Sequence, residues 1–188
     1  MLINLFFCFT IVFILAASKY YPRIIIHGKI KEGISKNYFV YFYLYGLIFS
    51  YVFYKECTDY STLLLRRFIE SIIFKYKSSK MNVLQFTYGF IFYTLTILEI
   101  KKRKMSKYFY ILNFLQFLSH LYIFNQKRFR YKFNRILKYS HYFLECLIYL
   151  EIFNKIKNIE SFLVFIYVIT FTFVTISQRN KKICLKKQ

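Results

Sequence analysis

The sequence predicts an all-α membrane protein, a multipass bundle of about six to seven transmembrane helices in one domain spanning residues 1–188. Its 188 residues are 57% hydrophobic and 24% aromatic, whereas soluble domains average about 45–50% apolar residues. The apolar residues also form long uncharged blocks, close to the roughly 20 residues that a spanning helix needs. Four such blocks are Met1–Ser18, Asn37–Tyr54, Met81–Leu98 and Ser161–Gln178.

The first block, Met1–Ser18, is expected to be a membrane helix rather than a signal peptide. No basic residue precedes its apolar run, and Ala16-Ala17-Ser18 is a poor cleavage site. The link that follows, Lys19–Lys36, is basic, which favours a cytosolic position. Asn37–Tyr54 is then expected to form the second helix and to return across the bilayer.

The third predicted helix, Tyr60–Tyr76, is apolar but carries Arg66, Arg67 and Glu70. Met81–Leu98 forms the fourth. The link after it is positively charged, although simple alternation of spans would place it in the lumen, against the usual tendency for positive loops to be cytosolic.

The remaining helices are expected over Tyr108–Gln126, over the shorter segment Tyr139–Phe153 and over Ser161–Gln178. Lys127–Lys138 separates the first two of these and holds six basic residues among twelve. A basic tail, Arg179–Gln188, follows the last helix.

The net charge of +21 does not by itself indicate a nucleic-acid partner. The lysines and arginines lie in short links between apolar blocks, which is typical of cytosolic loops. No metal site or disulfide framework is predicted, because the four cysteines are far apart and form no C-x-x-C pair. The four glycines are scattered too, so the chain has no dinucleotide-binding or phosphate-binding glycine loop.

Polar side chains inside the apolar helices are therefore the candidates for chemistry. Arg66, Arg67 and Glu70 are costly in lipid, so they are expected to turn inward to one another or to a ligand. Glu70 follows Arg66 by one helical turn, which places the two on one face.

A second candidate group lies in the sixth predicted helix. His141 and Glu145 are four residues apart, Tyr142 lies beside them, and Tyr149 follows one turn on. These side chains could hold an amide or a ribose, or deliver a proton. The alternative is an interhelical hydrogen bond that only stabilises packing, by about 0.6 kcal/mol. His120 allows the same two interpretations, although a single histidine is more often a packing partner than a ligand. On charge alone, the Lys127–Lys138 stretch is most often just a solvated cytosolic loop.

The order and spacing of these segments resemble the steroid 5α-reductase superfamily, on its polyprenol (polyprenal) reductase branch. That branch has R-R-x-x-E, a short polar gap with Ser and Met, and an aromatic-Gly-x-x-aromatic-aromatic helix. The matching residues here are Arg66-Arg67-Phe68-Ile69-Glu70, then Ser78, Ser79 and Met81, then Tyr88-Gly89-Phe90-Ile91-Phe92-Tyr93.

Flanking segments extend the resemblance. His27-Gly28-Lys29 resembles a G-K link before an aromatic helix, and Ser119-His120 resembles a small residue–His pair before a basic cofactor loop. Ser140-His141-Tyr142-Phe143-Leu144-Glu145 is similar to P-H-Y-L-x-E, with serine in place of proline. The catalytic tyrosine of steroid reductases aligns near Leu64, a position where the polyprenol branch also lacks it.

The resemblance implies NADPH-dependent reduction of the double bond nearest the oxygenated end of a polyprenyl lipid. The product would feed dolichol synthesis for protein N-glycosylation at the endoplasmic reticulum membrane. By the same resemblance, Arg67 and Glu70 would organise the catalytic pocket. The implied NADPH-binding residues are His120, Lys132, His141, Glu145 and Arg179.

Two other functions remain open from the sequence. One is a trans-enoyl-CoA reductase of the same superfamily, which shares an R-x-x-E-like helix. The other is a multipass protein that keeps the helices without activity, since the C-terminal Y-P-x-x-R-K element of the family is not recognisable in Arg179–Gln188.

Overall fold

The protein is all-α, as the sequence predicts. The computed structural model describes residues 2–21, 33–54, 59–74, 79–100, 103–129 and 135–185, and leaves the side chains of 126–138 and 179–185 undescribed. Seven α-helices form this part of the chain. They are α1 (Leu2–Tyr20), α2 (Phe39–Tyr54), α3 (Asp59–Ile73), α4 (Val83–Ile100), α5 (Lys107–Phe129), α6 (Arg135–Ile156) and α7 (Ile159–Leu185).

Three of these described helices are long and apolar enough to cross a membrane: α1, α4 and the Ile159–Gln178 part of α7. The other four differ for physical reasons. The 16 residues of α2 span only about 24 Å at 1.5 Å per residue, less than the hydrocarbon core of about 30 Å. Charged or amide side chains interrupt α3, α5 and α6. Length and composition therefore establish fewer spans than the six to seven predicted.

The seven helices pack around a common apolar core. Helix α1 packs along α7, α2 along α3 and α4, and α6 lies between α5 and α7. The core includes Phe7 of α1, Leu64 of α3, Phe109 of α5 and Ile148 of α6, all fully buried. The outer surface is also rich in exposed apolar side chains, for example Leu2, Leu5, Val12, Ile48, Val52, Ile72 and Phe114. An apolar outside around an apolar core is typical of a membrane protein.

A short strand pair fixes one end of the bundle. β1 (Ile34–Ser35) pairs antiparallel with β2 (Lys80–Met81), with Ile34 opposite Met81. The backbone N–H of Lys36 then donates to the Ser79 carbonyl oxygen at 3.0 Å. These contacts hold the start of α2 against the start of α4. The sequence does not predict them, because a two-residue strand carries no periodic signal.

Polar contacts fix the opposite end of the bundle. Asp59 Oδ2, in the first turn of α3, accepts a hydrogen bond from the Met105 backbone N–H at 2.6 Å. Ser106 donates to Glu151, and Asn158 donates to Glu99, so the α4–α5 and α6–α7 links are held to neighbouring helices. The helices are therefore tied at both ends, with the apolar core between.

A close helix contact explains the glycine in the aromatic motif of α4. A Cβ at Gly89 would lie 2.9 Å from the Cε2 and Cζ atoms of the Phe42 ring on α2, closer than carbon atoms can pack. A Cβ at Gly46 would meet the Leu64 methyl groups at 3.3 Å and the Ile97 Cδ1 atom at 3.6 Å. The rigid ring cannot yield as a leucine side chain can.

We expect Gly89→Ala to lower the thermal unfolding temperature of the detergent-solubilised protein more than Gly46→Ala does. Both changes gain the same helix propensity, about 1 kcal/mol, so the difference measures overpacking, which costs about 1–3 kcal/mol in a well-packed core. Circular dichroism at rising temperature is the measurement. Equal midpoints for the two variants would contradict the close packing of Gly89 on Phe42.

Candidate functional site

Glu70 is the centre of a buried ionic network. Its Oε1 accepts a hydrogen bond from Arg66 Nη1 at 2.6 Å, and its Oε2 lies 3.3 Å from Arg67 Nη1. His120 Nδ1, on α5, lies 2.8 Å from the same Oε2. The Glu70 side chain is 5% exposed, so these three partners replace water around the carboxylate.

Arg66 connects this carboxylate to α5. Its Nε donates to Asn113 Oδ1 at 3.0 Å and its Nη2 donates to Gln116 Oε1 at 2.6 Å. With Nη1 bound to Glu70, the guanidinium group has partners on all three nitrogens. A planar guanidinium with fixed donors suits this arrangement, which a lysine ammonium could not reproduce.

Arg67 connects the network to α6 and α2. Its Nη2 lies 3.4 Å from Glu145 Oε1, and its Cζ lies 5.6 Å from the centroid of the Tyr43 ring. Two arginines and two glutamates thus meet, so their formal charges cancel. Cancellation matters because an unpaired buried charge costs several kcal/mol.

Further contacts hold α6 against α5 beside the network. Gln116 Nε2 donates to the His141 carbonyl oxygen at 3.0 Å, and the Ser119 and Ser140 hydroxyls are 2.6 Å apart. The ring centroids of His120 and His141 are 5.0 Å apart. The two histidines, far apart in sequence, therefore share one site.

A cavity of about 620 Å³ lies next to the network, and all seven helices contribute to its wall. This is within the range of about 300–1,000 Å³ typical of ligand pockets. We call the part of its wall beside the network the polar end: Arg67, His120, His141, Tyr142 and Glu145. We call its apolar part the aromatic lobe: Phe6, Phe9, Phe13, Tyr88, Phe92, Tyr167 and Phe171.

Three buried tyrosines line the cavity between these two parts. Tyr43 lies under Arg67, and the Tyr43 and Tyr93 rings meet edge-on with centroids 5.4 Å apart. The Tyr149 ring centroid lies 6.2 Å from that of Phe92 in the aromatic lobe. These three tyrosine side chains thus lie between the polar end and the aromatic lobe.

The structure brings together five of the seven site residues predicted from the sequence. Arg67, His120, His141 and Glu145 line the cavity, and Glu70 lies behind them and acts on the cavity only through Arg67 and His120. The two others, Lys132 and the side chain of Arg179, lie outside the described residues.

Sequence analysis missed several residues of the site. Asn113 and Gln116 share one face of α5 with His120, at spacings of three and four residues, and this spacing is a signal that could have identified them. Lys36, placed in a solvated link by its sequence context, is only 8% exposed and lines the cavity. No local sequence signal identifies Lys36, because its burial depends on the strand pair.

Comparison with known proteins adds no family assignment: no family model, no curated protein and no solved structure matches the chain.

We expect Glu70→Gln to destabilise the protein strongly, because Arg66 and Arg67 would keep their charges while losing their shared partner. Breaking a buried ion pair from one side costs about 3–5 kcal/mol. Glu160→Gln is the matched control, since Glu160 makes no ion pair among the described residues. The temperature at which each variant loses its monodisperse chromatographic peak measures the effect. Equal loss in both variants would show that Glu70 is not the centre of the network.

Proposed function

We propose that this chain is an NADPH-dependent polyprenal reductase of the endoplasmic reticulum membrane that saturates the α-isoprene double bond during dolichol synthesis for N-glycosylation. The carrying observation is a single cavity that joins a charge-balanced polar end to an aromatic lobe within a helical bundle. An amphipathic ligand with one polar head and a long apolar chain matches that division. The order of motifs resembling the polyprenol reductase branch supports the same substrate.

The apolar surroundings of the cavity support a lipid substrate. Four lining side chains, Phe9 and Phe13 on α1 and Leu84 and Ile91 on α4, are also exposed on the outer surface. The wall between α1 and α4 thus connects the aromatic lobe to a surface suited to lipid. A polyprenyl chain would enter here from the bilayer without passing through water.

The membrane arrangement proposed is multipass, with six to seven spanning helices. Three helices meet the length and composition of a span by themselves. The others wall the same cavity, and several of their polar side chains pair across helices, as Arg66 does with Gln116 and Arg67 with Glu145. Inward-facing charges are the usual arrangement for ionisable residues at membrane depth.

The residues at the polar end fit the donor and acceptor groups of NADPH. A carboxylate such as Glu145 accepts hydrogen bonds from amide and ribose donors, and His141 and Tyr142 lie on the same helix surface. The basic stretch Lys127–Lys138 joins α5 to α6 between His120 and His141, both at the polar end. By the resemblance, its cations would bind the phosphates of NADPH.

NADPH, when bound, would supply the hydride that the reduction requires. The protein's own residues would hold the polar side chains of the site in place and exclude water from it. Arg67 keeps Glu145 fixed through an ion pair, and Tyr43 keeps the Arg67 guanidinium in place. The aromatic lobe excludes water from the reacting carbons, which strengthens every electrostatic contact within the site.

The direct test incubates purified protein with NADPH and polyprenal and detects the α-saturated product by mass spectrometry. We expect conversion that depends on NADPH. Conversion of enoyl-CoA but not of polyprenal would assign the chain to the other reductase type. Absence of both conversion and NADPH binding would favour a multipass protein without catalytic activity.

We expect Glu145→Gln to weaken NADPH binding by about tenfold or more, since a hydrogen bond to a charged group contributes about 1.5–3 kcal/mol. Quenching of NADPH fluorescence measures the affinity. Glu151→Gln is the control: Glu151 lies on the same helix, but it bonds Ser106 at the other end of the bundle. Unchanged affinity in the Glu145 variant would remove this residue from the cofactor site.

A further inference from the structure

Tyr149 lies where the polar end of the cavity meets the aromatic lobe. It follows Glu145 by four residues on α6, about 6 Å along the helix axis, and its ring packs near Phe92. The Tyr149 side chain is 3% exposed and lines the cavity. A ligand that occupies both parts of the cavity would therefore lie against Tyr149.

The hydrogen bond between the Tyr149 and Tyr60 hydroxyls uses one of their two protons and leaves the other to be donated. The Tyr149 and Tyr60 hydroxyl oxygens are 3.2 Å apart, and either can be the donor. Each phenol has one proton, so their mutual bond uses one of two. In the described part of the structure neither hydroxyl has another hydrogen-bond partner.

Burial decides which proton is available. Tyr60 is 1% exposed and is not part of the cavity wall, so its proton can reach no acceptor other than Tyr149. The pair is best satisfied when Tyr60 donates to Tyr149 and Tyr149 donates into the cavity. An unused buried donor would cost about 1–3 kcal/mol, which a ligand acceptor removes.

We infer, on the basis of the proposed reductase function, that Tyr149 is the catalytic proton donor. Its hydroxyl donates a hydrogen bond to the carbonyl oxygen of an α,β-unsaturated aldehyde. Two other groups at the polar end are bound elsewhere: Arg67 Nη1 and Nη2 contact two carboxylates, and His120 Nδ1 contacts Glu70. Tyr60 is a positioning residue that holds the Tyr149 oxygen.

The step balances in protons and electrons. Bound nicotinamide reductant would supply a hydride to the β-carbon; the carbon–carbon π electrons would shift toward the carbonyl carbon, and the carbonyl π electrons would move to oxygen. The Tyr149 O–H bond breaks as the new O–H bond forms, which gives an enol and a phenolate. After release, the enol becomes the saturated aldehyde in water, which removes the O–H proton and adds one to the α-carbon, and solvent returns a proton to Tyr149.

The first test needs no turnover. We would bind polyprenal to the protein without NADPH and record its carbonyl stretching band by infrared difference spectroscopy. A hydrogen bond from Tyr149 lowers the band frequency relative to polyprenal in detergent, and Tyr149→Phe should restore it. Tyr54→Phe is the control, because its hydroxyl bonds the Ile97 carbonyl at the other end of the bundle. The same band in wild type and Tyr149→Phe would overturn the inference.

The second test separates this inference from the proposed function. In active protein, Tyr149→Phe should lower kcat by about 10²- to 10⁴-fold with unchanged NADPH affinity, and Tyr60→Phe should lower it less. Wild-type turnover in Tyr149→Phe would overturn the Tyr149 assignment and leave the reductase intact. A wild-type protein that does not reduce polyprenal would overturn the proposed function, and the catalytic step with it.

Discussion

The carboxylate of Glu70 is the feature on which the rest of the structure depends. Two arginines in one turn of an apolar helix cannot stay buried without anions, and Glu70 is the only carboxylate within their own helix turn. It binds both of them and a histidine from α5. The position of α3 against α5 follows from this requirement as much as from apolar packing.

The same requirement shapes the cavity. Arg67 has a second carboxylate partner on α6, so the network extends to Glu145 and brings α6 against α3. Besides Glu70, the partners of Arg66 are the buried amides of Asn113 and Gln116, whereas Glu145 is 25% exposed and borders the cavity. The carboxylate that balances Arg67 therefore lies at the cavity wall, where a ligand can contact it. Beyond the network, tyrosine and phenylalanine rings form much of the wall.

The apolar runs of the sequence predicted all seven described helices, and helical spacing predicted the Arg66–Glu70 pair. The contacts of Glu70 with His120 and of Arg67 with Glu145 were not predictable in detail, because each joins residues at least 50 positions apart. Their residues were candidates only because charges are expensive among apolar side chains. Lys36 was missed for the opposite reason: its neighbours in sequence are polar, and only the strand pair reveals its burial.

A double-mutant cycle on Arg66 and Glu70 tests most directly whether charge balance governs the site. Removing both, in Arg66→Leu with Glu70→Leu, leaves Arg67 and Glu145 as a neutral pair. We predict that the double variant unfolds at a higher temperature than either single variant, with a coupling of about 0.5–3 kcal/mol. Losses that simply add would mean that the two side chains contribute independently, and the network would not be the constraint described above.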